Sequence, residues 1–105
     1  MNIEHWLAKA AEYRETDGGH MYESLAVAMT LELGYETAAA FTKELSAVVD
    51  GWSTGGSHAA AQLYEFLGWP QSALLVAWFN NLENYRMVRD GVLTPTSPAP
   101  RAVLP

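Results

Sequence analysis

The chain has 105 residues, no cysteine, and twelve acidic against six basic side chains, a formal net charge of −6. Its length suits a single domain, roughly 100 to 200 residues being usual, and half of its residues are hydrophobic, ample for the core of a compact soluble fold. Without Cys there are no disulfides, thiolate metal ligands or cysteine nucleophiles; Lys9, Arg14, Lys43, Arg86, Arg89 and Arg101 are too scattered for a phosphate-binding surface, which speaks against nucleic acid.

The strong periodicities are all helical. Ile3, Trp6, Leu7, Ala10 and Tyr13 make a first amphipathic face, with Asn2 as its N-cap and Asp17-Gly18-Gly19 closing it. Glu4, His5 and Lys9 in its first turns leave no apolar stretch of signal-peptide length, and no run approaches the roughly eighteen apolar residues of a membrane span. A cytoplasmic protein without membrane partners is expected. A second helix runs from about His20 to Leu33 and stops at Gly34. The third, about Glu36 to Asp50, stacks Ala38, Phe41, Leu45, Val48 and Val49. Ser57 caps a fourth, which ends at Gly68. Trp69-Pro70 opens a fifth and longest helix, because Pro suits a first helical position; it continues through Leu75, Trp78, Phe79, Leu82 and Tyr85 to Asp90-Gly91. From Thr94, TPTSPAPRAVLP reads as an extended, disordered tail, so the division is a helical domain over 1–93 and a Pro-rich tail over 94–105.

A shift of 34 residues, the tetratricopeptide period, pairs Ala26 with Ala60, Met29 with Leu63, Leu33 with Leu67, Gly34 with Gly68, Tyr35 with Trp69, Ala39 with Ala73 and Leu45 with Phe79. Thr30, Glu32 and Glu44 oppose Tyr64, Phe66 and Trp78 as mismatches. The expected fold is all-α: a five-helix, tetratricopeptide-like array of antiparallel helical hairpins. The alternative is an ordinary helical bundle with coincidental spacing.

Gly51-Trp52-Ser53-Thr54-Gly55 matches the G-x-S-x-G pattern of serine hydrolases. A nucleophile elbow needs a strand before the serine and a large α/β sheet, whereas Ser53 follows a helix in a short chain. Gly55-Gly56-Ser57 at a helix start could cradle an anion, but no P-loop Lys follows and no strand precedes. The stretch reads as a connector between two hairpins. His20 and Glu23, three apart on one helix, could begin a metal site, yet no second pair has ligand spacing. Glu12 and Glu15, or Glu32 and Glu36, are most simply solvated carboxylates. No catalytic residue, metal or cofactor is therefore expected. Trp69, Trp78, Phe79 and Tyr85 suit a core, but the apolar arc of helix five, Leu74, Leu75, Val76, Trp78, Phe79 and Leu82, is too wide for one contact, and part of it should meet a partner or another element.

The stretch TDGGHMYESLAVAMTLELGYETAAA, with its glycine turn, His20, Glu23, the Leu33-Gly34 stop and an alanine-rich second helix, resembles the small tetratricopeptide-like chaperones of type III secretion needle subunits, the YscG/PscG kind. Trp69-Pro70 and the following aromatic-rich helix resemble a later segment of that family, extending the likeness to about residues 3–90. The resemblance implies a cytoplasmic chaperone that holds the amphipathic C-terminal helix of a needle subunit in a concave groove, aided by a small helical co-chaperone. The proline-rich tail and the long GWSTGGS linker depart from the family's pattern.

Two stacked hairpins leave a groove lined by the first helix of each. The repeat register sets Val27 and Thr30 beside Ala61 and Tyr64, with Trp78 nearby, as a site for an amphipathic helix of a protein partner. A non-catalytic binding module, a chaperone or adaptor, is the leading expectation. The rival is an acidic inhibitor, of the phage anti-defence or toxin-immunity type, that blocks a basic surface on its target.

Overall fold

The computed structural model describes residues 1–51 and 57–96, and these are helical with no strand. Helix α1 spans Ile3–Asp17, and Asn2 begins it by accepting the His5 amide on its side chain at 3.3 Å. A short 3-10 turn, Gly18–His20, leads into α2, Met21–Leu33. Gly34 (φ 86°, ψ 150°) separates α2 from α3, Tyr35–Val49, as a one-residue turn. Its N–H donates to the Thr30 carbonyl, and its own carbonyl accepts from Ala38. Only a residue that tolerates positive φ can end one helix and begin the next in this way.

Helix α4, His58–Phe79, starts at Ser57, whose hydroxyl accepts from the Ala60 amide at 3.1 Å. It is broken at Gly68 (φ 80°, ψ 173°) into two arms, and Pro70 follows at once, where a missing N–H costs little. Gly34 and Gly68, 34 positions apart, thus share one backbone conformation.

The helix expected from Trp69 to Asp90 is not continuous. It ends at Phe79, and α5, Leu82–Arg89, begins anew. Asn80 and Asn81 cause the break: the Asn80 amide turns back to the Ala77 carbonyl, and the Asn81 side chain accepts from the Glu83 amide at 3.0 Å. Asparagine side chains compete with helical hydrogen bonding, and here that competition wins. After α5, Gly91 (φ 79°) closes a Schellman turn in which the Val92 and Gly91 amides donate to the Met87 and Val88 carbonyls.

At the centre lies α2, packed by α1, α3, α4 and α5. Every residue from Glu23 to Thr30 is buried. The cause is visible in Ser24–Leu31, SLAVAMTL, which carries no charge on any face, and a helix apolar all round is a core helix. Around it gather Trp6, Tyr13, Leu45, Leu63, Leu75 and Phe79. Two contacts tie α1 and the 3-10 turn after it to α4 near the Gly68 break: Arg14 donates to the Phe66 carbonyl, and Gln71 donates to the Gly19 carbonyl at 3.4 Å.

The expected tail begins in a defined place. Leu93 is buried, and the Thr96 amide donates to the Ser24 hydroxyl at 3.1 Å. Residues 97–105, like the Ser53 and Gly55-Gly56 readings, lie outside the described residues.

Candidate functional site

The five residues expected to line a groove do not share an open face. Val27 is 2 % exposed and Trp78 3 %. Thr30 is also buried, with its hydroxyl returned to the Ala26 carbonyl at 2.8 Å. All three belong to the interior because α2 is surrounded and because Ser72, Leu75 and Phe79 share with Trp78 the inward stripe of the second arm of α4. Ala61 is exposed and Tyr64 is half-buried, so these two remain accessible on the first arm.

The outward side of the second arm is the candidate surface. Pro70, Leu74 and Ala77, spaced i, i+4 and i+7, are exposed, and Trp69 beside them is 58 % exposed. No charged residue occurs from Phe66 to Leu82, in a chain otherwise rich in carboxylates. The excess apolar arc anticipated for this segment is therefore real, but Trp69 and Leu74 carry it rather than Trp78. The distinguishing signal was the phase of the helix: Ser72, Leu75 and Phe79 define the core stripe, and Pro70, Leu74 and Ala77 fall opposite it.

Comparison of the two aromatics that follow the turn glycines sharpens this point. The Tyr35 ring lies 4.1 Å from that of Tyr85 and 6.0 Å from that of Phe79, centre to centre, and its hydroxyl donates to the Phe79 carbonyl at 2.9 Å. Trp69 holds the equivalent position after Gly68, yet most of its surface faces outward.

Beside this arm, a cleft of about 330 Å³ opens between α3 and α4, lined by Tyr35, Thr42, Lys43, Ser46, Val76 and Asn80 among others. Thr42 and Val76, and Ser46 and Asn80, are each 34 positions apart, so matching residues of two segments face the same space.

Elsewhere polar groups serve the fold. His20 Nδ1 lies 3.3 Å from Glu23 Oε1, so these two side chains face each other, and no three His, Asp or Glu side chains converge among the described residues. Glu32 receives His5 Nε2 at 2.9 Å and Lys9 Nζ at 3.6 Å, which joins the start of α1 to the end of α2. Burial raises the Tyr13 phenol above its ordinary 10.0, with Lys9 pulling the other way. The phenolate charge of Tyr13, and less strongly Glu32, raises Lys9 above 10.5. None of the described helices is long and apolar enough to cross a membrane.

Compared with known protein families, curated proteins and solved structures, the chain matches none.

Proposed function

We propose that the chain is a non-catalytic protein-binding module that takes an amphipathic helix of a partner against the outward side of the second arm of α4. The observation that carries this reading is the uncharged face formed by Trp69, Pro70, Leu74 and Ala77. Such faces are where soluble chains meet partners. A helical occupant is favoured by the way Tyr35 is treated, since its covering comes from Phe79 at a helix end and Tyr85 on a helix. An equivalent helix supplied by another protein would do the same for Trp69.

The shared conformation of Gly34 and Gly68, and the cleft flanked by pairs 34 apart, support a tetratricopeptide-like pairing of hairpins. In its most specific form the proposal is a cytoplasmic chaperone for a secretion-needle subunit, as the sequence resemblance implies. A small helical co-chaperone could then be a second partner.

The test is capture of partners from the native host with the full chain and with Leu74→Glu, each at low and at high salt, followed by mass spectrometry. Apolar docking is expected to survive high salt and to be lost on Leu74→Glu while the circular dichroism spectrum is unchanged. A partner that is retained by Leu74→Glu and released by salt would point instead to the acidic-inhibitor reading, since screening weakens charge-driven contacts.

A further inference from the structure

The Ser24 side of α2 is covered by the chain's own C-terminal segment: α5 packs on α2 and α4, Leu93 is buried, and the Thr96 amide bonds Ser24. Val27 stands one turn beyond Ser24 on the same helix face. From these relationships we infer that α5 and residues 90–96 form a displaceable internal occupant of a helix-binding site. This site is separate from the exposed face of α4 and does not rest on it.

Three features make the occupant replaceable. The Asn80–Asn81 break makes α5 a helix of its own rather than an extension of α4. It has eight residues, below the length at which a helix persists in water without packing. Its fully buried residues are Asn84 and Val88, with Tyr85 and Met87 partly buried beside them, and Asn84, 1 % exposed, has no hydrogen-bond partner among the described residues for either its amide nitrogen or its amide oxygen. A buried polar group without partners opposes the packing that holds it, whereas an apolar group of similar size would favour it. The first anchor of the occupant is thus a poor one.

The occupant also defines the ligand. Asn84 and Val88 set buried positions at i and i+4 of a helix, Leu93 following beyond its terminal turn, and the better ligand is an amphipathic helix with an apolar residue at the first of them. Such a helix binds with an apparent affinity reduced by the fraction of time the internal segment is released.

The experiment uses the full chain, labelled with ¹⁵N, and a synthetic peptide of residues 81–96 carrying Asn84→Leu, with the unsubstituted peptide beside it. The substituted peptide is expected to shift the Ser24 and Val27 amides, to move residues 82–89 of the chain to unfolded positions, and to bind about tenfold more tightly than the unsubstituted one. Placing Asn84→Leu in the chain itself should slow hydrogen exchange of the α5 amides about tenfold and weaken the added peptide by a similar factor. The inference is overturned if about 1 mM substituted peptide leaves α5 in place. It is equally overturned if the α5 amides exchange only with the whole core, or if Asn84→Leu unfolds the chain.

Discussion

Arg14 lays its guanidinium over the ring of Phe66, 4.2 Å from its centre, and donates to the Phe66 carbonyl at 2.6 Å. That carbonyl lies in the last turn of the first arm of α4, next to the Gly68 break, where helical acceptors lose their partners. A cation from α1 therefore caps the end of an arm more than fifty positions away, beside the break that Gly68 makes. Arg14→Ala should lower stability by about 1 kcal/mol, a drop of several degrees in a thermal melt. Arg14→Lys should recover only part of it, because an ammonium cannot lie flat on the ring while reaching the carbonyl. Equal melting temperatures for all three chains would show that the contact holds nothing.

Gly34 and Gly68 offer a paired test of backbone geometry. At neither would an added Cβ meet an atom closer than 3.9 Å, so the cost of a side chain there comes from φ alone. Gly34→Ala and Gly68→Ala should each cost about 1 kcal/mol, and a β-branched residue more. Gly19, in the 3-10 turn, has open space and no positive φ. Gly19→Ala should stay within about 0.5 kcal/mol of the parent in a denaturant titration. A large loss at Gly19, or none at the other two, would contradict the conformations described.

Ala61 and Val27 were placed in one groove by register, but the structure gives them opposite fates. Ala61→Glu should fold normally, within about 0.5 kcal/mol of the parent. Val27→Glu should abolish cooperative folding, since a carboxylate would be buried without a partner in the central helix. Circular dichroism melts of both variants decide the matter.

Tyr13 and Lys9 give the pH dependence a sign. Both have their pKa raised in the folded chain, Tyr13 chiefly by burial and Lys9 chiefly by the phenolate charge of Tyr13. The unfolded chain then loses these protons first, so stability should be level below the ordinary values of 10.0 and 10.5 and fall as pH rises through them. Tyr13→Phe should flatten the fall. Absorbance at alkaline pH should show a phenol that ionises later than its ordinary 10.0, and loss of that delayed ionisation in Tyr13→Phe would identify it as Tyr13.

Local chemistry was enough for the helices and most of their ends. Asn2, Ser57, Gly34 and Gly68 act through their own backbone and nearest neighbours, and a capping hydroxyl or a positive φ requires no knowledge of the rest of the fold. The sequence also holds the break at Asn80–Asn81, in two adjacent asparagines, though the apolar periodicity that runs through them masks it. What only the tertiary structure decided is which apolar faces close on one another. Periodicity assigns Val27 and Trp78 to stripes without saying which neighbour arrives, and the neighbours that enclose α2 come from both ends of the chain: α1 before it, α5 and Leu93 after. Burial depends on those long-range meetings, so residues expected to line a groove became core, while Trp69 and Leu74, on the phase of the same arm that no described segment reaches, became the surface offered to a partner.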